Sequence, residues 1–197
     1  FVVTCSAGFS GTNGVAQLAA RDFPGRVTVW DSAAGCGTQQ MQAERAARLF
    51  RAGAGEEEVL AALERARNHM NVRFTVGSLD FLRKNGRIGN ATALLGQLLS
   101  VRPILTMAGG KVDAAGRARG DRRAFQDQVD NLKALVQRHG RVRAFYLYTD
   151  QPDKARELKA AGDALGVECF GMNQMGAVIS CHVGPGTFGA CSEPVDP

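Results

Sequence analysis

The first fifty residues twice repeat one arrangement: a short β-branched run, then a glycine-containing loop, then a helical pattern. The first copy is a strand predicted over residues 2–6 with a helix over 12–21, and the second is a strand over 27–31 with a helix over 38–51. Strands that alternate with helices favour a parallel sheet, whose ligand sites lie at the carboxyl ends of the strands. The predicted class is therefore α/β.

After about residue 72 the pattern changes to hairpins mixed with helices, and Gly109-Gly110 is typical of a hairpin turn. Further helices are predicted over 56–71, 79–84, 91–99, 121–139 and 152–165, and further strands over 74–77, 103–107, 142–149, 167–170 and 177–183. We therefore expect two domains. The first is a partial parallel α/β domain over 1–72, and the second is an α+β domain with a mixed or antiparallel sheet over 73–197.

The first predicted domain is short of strands. Only two strands precede residue 72, whereas a doubly wound domain needs four or more, and the sequence opens in mid-strand without a methionine. These observations lead to the hypothesis that an N-terminal segment is absent from this chain.

Composition narrows the function classes. The five cysteines are scattered without any CxxC pair, so they predict neither a zinc site nor a redox couple. The absence of a long apolar run and of a signal-peptide pattern favours a cytoplasmic protein without a transmembrane segment. A net charge of +5 permits a nucleic acid, an anionic membrane surface or an acidic protein as partner. Because only 7% of residues are aromatic, a base-stacking surface is disfavoured, and a nucleic-acid-binding module is the third-ranked hypothesis.

A first candidate site lies over residues 5–13, where the first strand gives way to the first helix. A helix start exposes unpaired N–H groups, the Ser10 hydroxyl can donate to an anion, and Gly11 lets that anion approach the backbone. The expected ligand group is a carboxylate or a phosphate. Simple N-capping by Ser10 or Thr12 is the alternative interpretation.

The same segment allows an enzymatic alternative. Gly8-Phe9-Ser10 begins like the G-x-S-x-G nucleophile elbow, and His182 follows in the order that a serine hydrolase requires. The fifth position of the motif is Thr12 instead of glycine, however, and nothing locates the acidic member of a triad. A hydrolase that uses Ser10 and His182 therefore stays as the alternative function.

Two further candidate sites lie later in the chain. His182 is predicted to end an apolar strand before a glycine-rich loop, where it could donate to an anion, serve as a base, or be satisfied by the loop's own carbonyls. Arg87 follows Gly86 in a turn, and its planar guanidinium suits phosphate or carboxylate. With the other two histidines on charged helices, no metal site is predicted.

Three segments taken in order resemble the DegV family of bacterial fatty-acid-binding proteins. They are Phe9-Ser-Gly-Thr12, the run 79–88 continued by 93–105, and His182-Val-Gly-Pro-Gly-Thr-Phe-Gly189. The resemblance covers nearly all of the chain and implies a lipid-binding carrier without catalytic residues, metal or cofactor. It implies two domains with a long-chain fatty acid between them, the acyl chain lying in an apolar tunnel to which the run 91–107 would contribute.

The resemblance also assigns roles to residues. Ser10, beside Gly11 and Thr12, matches the family's carboxylate-binding serine, and His182 matches the histidine that faces the same head group. In the family a separate fatty acid kinase phosphorylates the bound carboxylate, and Arg87 falls in the glycine-arginine turn associated with that transfer. Two features depart from the family pattern: no upstream Thr-Ser-x-Pro-Ser-like segment is present, and Asn13 replaces the common tyrosine.

Overall fold

The structure is a computed structural model that describes residues 1–96 and 101–195. The chain divides into two compact units, which are Phe1–Met70 with Gly109–Lys111, and Asn71–Ala108 with Val112–Pro197. We refer to them as the first and the second unit. The assignment of 1–72 and 73–197 as domains with a ligand site between them stays a prediction.

The first unit contains the predicted alternation of strands and helices. Its strands, β1 (Val2–Thr4) and β2 (Val29–Asp31), pair in parallel. Its helices are α1 (Thr12–Ala20), α2 (Cys36–Arg51) and α3 (Glu56–His69). The apolar spacing along α2 and α3 brings a small cluster together in which Ala46, Val59 and Leu63 are buried. The parallel α/β class predicted for this part of the chain is therefore confirmed.

The second unit contains a mixed sheet, as predicted. Within the described residues the strands of this sheet are β3 (Asn71–Thr75), β4 (Val101–Ala108), β5 (Lys111–Arg119), β6 (Val142–Tyr148), β7 (Glu168–Gln174) and β8 (Phe188–Pro194). The first residue of β5, Lys111, is grouped with the first unit. Their order across the sheet is β5-β4-β3-β8-β6-β7. Strand β8 is antiparallel to both neighbours, whereas β6 and β7 pair in parallel. The two-residue turn between β4 and β5 confirms the predicted hairpin.

Helices cover both faces of this sheet. They are α4 (Asp80–Lys84), a 3-10 helix (Gly89–Leu94), α5 (Asp121–His139), α6 (Pro152–Ala164) and α7 (Ala177–Val183). Side chains alternate between the two faces of a strand. On one face Tyr146 of β6 packs with Leu132 of α5 and Leu158 of α6. On the opposite face Phe74 of β3 packs in a second cluster with Val183 of α7.

Two predicted elements of the second unit are wrong. Residues 177–183 form helix α7 instead of a strand, because Ile179 and Val183 stand four residues apart and both pack on the core, while Val178, directly before Ile179, is 73% exposed. The β-branched composition of residues 177–183 suggested a strand, but tertiary packing overrides that preference. The 3-10 helix replaces the beginning of the helix predicted over 91–99, and residues 97–99 of that prediction lie outside the described residues.

Strand β8 was not expected from the sequence. Its first two residues were assigned to the glycine-rich loop that follows His182, yet all seven residues of the strand are buried at the centre of the sheet. A buried central strand gives no alternation of polar and apolar residues, and this one contains neither valine nor isoleucine. The loop is consequently shorter than predicted.

Candidate functional site

The loop between β1 and α1 carries the predicted carboxylate-binding serine. The backbone N–H groups of Phe9 and Ser10 both donate to the Ser6 carbonyl oxygen, at 3.3 and 3.1 Å, so the chain makes one tight turn after the strand. Helix α1 then begins at Thr12, where the sequence placed its start. We call residues 6–12 the serine loop.

Two hydroxyl groups stand side by side at this helix start. Ser10 Oγ and Thr12 Oγ1 share a hydrogen bond of 2.8 Å, and the Thr12 N–H donates to Ser10 Oγ at 3.3 Å. The N-cap residue itself is Gly11, and the helix has no side-chain cap hydrogen bond. Ser10 Oγ nevertheless accepts the N–H of Thr12, the first helical residue, so the N-capping interpretation of Ser10 stays the alternative to a ligand-binding role.

The loop that follows β2 lies beside the serine loop, because the carboxyl ends of parallel strands meet at one edge of a sheet. The Asp31 carboxylate accepts the Ala7 N–H at 3.2 Å and the Ala33 N–H at 2.9 Å. Ala33 and Cys36 have φ values of 51° and 50°, in the left-handed region that non-glycine residues rarely adopt. Such backbone strain concentrates at functional sites. Sequence reasoning missed this loop, although an aspartate that directly ends the second strand was a signal for it.

His182 lies in the last turn of α7, instead of at the end of a strand as predicted. The side chain is half-buried, and its Nδ1 atom is buried without a hydrogen-bond partner among the residues that the structure describes. The short loop after it is fixed within its own unit, because Thr187 Oγ1 donates to the carbonyls of Val183 and Gly184 at 3.1 and 2.9 Å. The Thr187 hydroxyl therefore satisfies the two carbonyls that directly follow His182 in the chain.

Arg87 is exposed in the turn after α4, and its Nη1 donates to the Asn85 carbonyl at 2.8 Å. The Asn85 side chain in turn donates to the Cys181 carbonyl of α7 at 3.1 Å. The structure thus brings the turn that carries Arg87 next to the helix that carries His182.

The sequence-predicted residues fall into two groups. Ser10, Gly11 and Thr12 lie together in the first unit, whereas Arg87 and His182 belong to neighbouring elements of the second. That the two groups meet around one head group stays a prediction. In residues 1–96 and 101–195 no three metal-ligating side chains gather in a group, and no helix is long and apolar enough to cross a bilayer.

Comparison with known proteins identifies the kind of protein that this arrangement belongs to. A family model described as an uncharacterised protein of the DegV family matches residues 1–195. A DegV domain-containing protein of Deinococcus radiodurans is 43% identical over 192 residues, which are 96% of this chain and 68% of the relative. The chain is therefore a member of the DegV family.

Two relatives are described by what they bind. A fatty acid-binding protein of Thermotoga maritima is 29% identical over 95% of this chain and 66% of its own length. The solved structure of a DegV family protein from Thermus thermophilus, described for its fatty acid binding, matches with a TM-score of 0.91 and 42% identity over 97% of this chain. The match covers 69% of that protein, so the chain spans about two thirds of the length of its relatives.

Proposed function

We propose that this protein is a carrier that binds a long-chain fatty acid and holds its carboxylate with Ser10, Gly11 and Thr12 at the start of α1. The observation that carries the proposal is the pair of adjacent hydroxyls at that helix start, in a chain whose relatives include a fatty acid-binding protein. The helix start supplies partial positive charge, and the hydroxyls supply donors.

A carboxylate taken out of water needs such donors. Burying a charged group without hydrogen bonds is costly enough to prevent binding of an otherwise apolar ligand. Ser10 is half-buried and Thr12 is exposed, so both hydroxyls can turn from each other toward a ligand without disrupting the core. The N–H groups of the first helical turn add donors that the helix itself does not use.

His182 is the second contributor to the proposed head-group site. Because Nδ1 is buried and has no partner among the described residues, Nε2 is the ring atom through which we expect the imidazole to donate to a carboxylate. The half-buried position would shield that hydrogen bond from water and so strengthen it.

The acyl chain supplies most of the binding energy in this proposal. Burial of apolar groups yields roughly 0.8 kcal/mol per CH₂, so a sixteen-carbon chain gains on the order of 10 kcal/mol before the cost of ordering it. The run 91–107 is the proposed wall of the tunnel. Its described part includes the buried Ala91, Ile104 and Leu105, whereas residues 97–100 lie outside the described residues.

Two further parts of the proposal concern a kinase partner and the cellular location. We expect a separate fatty acid kinase in the cytoplasm to phosphorylate the bound carboxylate, with Arg87 assisting the transfer and no cofactor held by this chain. Arg87 suits that role because it is exposed beside the helix that carries His182. A guanidinium there could meet phosphate oxygens with two parallel hydrogen bonds.

The direct test is to extract the purified protein with organic solvent and identify the bound lipid by mass spectrometry. We expect a co-purified fatty acid, and we expect Ser10→Ala and His182→Ala each to weaken affinity about tenfold, as for one lost charge-assisted hydrogen bond. Ser78→Ala is the matched control, because Ser78 also lies just before a helix, α4, and its hydroxyl is hydrogen-bonded to Asp80 there. Absence of lipid, together with labelling of Ser10 by a fluorophosphonate, would instead support the hydrolase.

The role of Arg87 needs a separate assay. We expect Arg87→Ala to leave fatty-acid affinity unchanged but to lower the rate of phosphate transfer by a fatty acid kinase. Arg83→Ala is the control, since Arg83 is an exposed arginine of α4 that pairs with Asp80. Equal transfer rates for the two variants would remove Arg87 from the proposal.

A further inference from the structure

The serine loop buries little apolar surface, and its half-buried apolar side chain is Phe9. None of residues 7–12 is fully buried, and the only buried residue of the serine loop is Ser6, at 1% exposure. A loop that buries little apolar surface is ordered mainly by its hydrogen bonds. The Asp31 carboxylate holds the loop at the Ala7 N–H, and the contacts of Ser6 hold it at Ser10 itself, whose N–H donates to the Ser6 carbonyl.

Ser6 contacts the loop through both of its oxygen atoms. Its carbonyl accepts the N–H groups of Phe9 and Ser10, and its hydroxyl accepts the Gly8 N–H at 3.0 Å. The same hydroxyl donates to the Gly110 carbonyl at 2.6 Å. One buried side chain thus joins the serine loop to a residue 104 positions away in the sequence.

Both glycines at this contact are required by the close approach of the two backbones. A Cβ on Gly110 would lie 2.5 Å from Ser6 Oγ, and a Cβ on Gly8 would lie 2.5 Å from the Gly110 carbonyl oxygen. Gly110 also has a φ of +74°, a conformation that other residues rarely adopt. Gly110 belongs to the first unit together with Gly109 and Lys111.

We infer that Ser6 is a positioning residue, whose hydrogen bond to Gly110 holds the serine loop in the geometry that binds a carboxylate. The inference rests on the proposed function of that loop. A loop held in place before the ligand arrives does not have to be ordered on binding, so the hydrogen bond raises affinity without touching the ligand.

The test compares two ligands that share a tail and differ in the head group. The dissociation constants of a sixteen-carbon fatty acid and of the alcohol of equal length are measured on the intact protein and on Ser6→Ala. We expect the variant to bind the acid about tenfold more weakly and the alcohol less than about twofold more weakly, because only the carboxylate depends on the serine loop. General loss of structure would weaken both ligands alike.

A second pair of variants tests Gly110, the hydrogen-bond partner of the Ser6 hydroxyl. Gly109→Ala and Gly110→Ala both place a side chain at positive φ, of 55° and 74°, but only the second brings a Cβ against Ser6, since nothing lies within 4 Å of a Cβ on Gly109. We expect acid affinity to fall about tenfold more in Gly110→Ala than in Gly109→Ala. Adding Ser6→Ala to Gly110→Ala should cause no further loss, because the two changes remove one interaction.

The outcomes separate the two claims. If the intact protein binds no fatty acid, the proposed function and this inference are both overturned. Only the positioning role is overturned if the intact protein binds the acid but Ser6→Ala weakens the binding of acid and alcohol equally. The same holds if Ser6→Ala weakens the binding of neither ligand. Should Ser6→Ala fail to fold, the comparison of Gly109→Ala with Gly110→Ala decides the question, and equal affinities would contradict the inference.

Discussion

The two units differ in how far their buried polar side chains are hydrogen-bonded. In the first unit Asn13 donates to Thr4 Oγ1 at 2.8 Å, and the Gln42 side chain accepts from Trp30 Nε1 at 2.7 Å and donates to the Ser32 carbonyl at 3.0 Å. In the second unit four buried atoms have no partner among the described residues. They are Gln128 Oε1, Tyr146 OH, His182 Nδ1 and Ser192 Oγ.

The size of the apolar core explains this difference. The first unit has a two-stranded sheet and a small buried cluster, so its loops depend on hydrogen bonds. Among its described residues, Thr38 Oγ1 is a buried atom that departs from that pattern. The second unit has apolar clusters on both faces of a larger sheet, which can offset an unpaired hydroxyl. We therefore expect loss of a polar group to cost more in the first unit than in the second.

The largest effect is expected at a buried charge, which the apolar clusters of the second unit cannot offset. Arg143 donates to Glu193 Oε1 at 2.8 and 2.5 Å, and the Glu193 side chain is 2% exposed. Arg143→Met would leave this carboxylate buried without its guanidinium, so we expect the free energy of unfolding in urea to fall by about 3–5 kcal/mol. Arg141→Met is the control, because its pair with Glu168 is exposed and should contribute less than about 1 kcal/mol. Similar losses in both variants would contradict the argument.

The second test compares the two buried glutamines directly. Gln42→Leu would leave Trp30 Nε1 and the Ser32 carbonyl without this partner, and we expect a loss of about 2–3 kcal/mol in urea unfolding. Gln128→Leu removes one long hydrogen bond of 3.4 Å to the Phe188 carbonyl and an oxygen that has no described partner. We expect it to cost less than about 1 kcal/mol. A larger loss for Gln128 than for Gln42 would reverse the comparison.

The third test concerns the space around Tyr146. A Cβ on Gly162 of α6 would collide with the Tyr146 hydroxyl and lie 3.2 Å from the carbon that bears it. Alanine in a helix usually stabilises by about 1 kcal/mol relative to glycine, but overpacking here should make Gly162→Ala destabilising by about 1–2 kcal/mol. In Tyr146→Phe the hydroxyl is gone, so the same change should cost much less or become favourable. Equal effects of Gly162→Ala in both backgrounds would show that the hydroxyl is not the obstacle.

Elements with local signals were predictable from the sequence. Helix α5 lies at the residues predicted for it, because Asp121 suits its first turn and Gly140, with a φ of 75°, ends it. Helix α7 and strand β8 were not predictable, because their packing partners decide between two states that their composition allows equally. The same holds for His182, whose expected position depended on the wrong element.

The candidate site divides in the same way. The strand-to-helix junction around Ser10 is a local pattern and was found, whereas the roles of Ser6 and Asp31 were not. Ser6 owes its role to Gly110, which is 104 residues distant, and Asp31 owes its role to a neighbouring loop. No spacing rule connects such residues in advance of the fold. The meeting of Ser10 with His182 stays a prediction for the same reason.

The smallest effect appears only at alkaline pH and isolates the buried phenol. Burial raises the pKa of Tyr146 well above its usual value, and the nearby Cys169 and Asp163 raise it further. The unfolded chain releases this proton near pH 10 while the folded chain retains it, so stability falls as pH rises above about 10, by about 1 kcal/mol at pH 11. Tyr146→Phe should lack this loss, and its advantage over the original protein should be constant below about pH 9 and grow above about pH 10. Parallel pH profiles of unfolding free energy would mean that the hydroxyl is hydrated in the folded state, and the contrast between the two units would then rest on Gln128, His182 and Ser192.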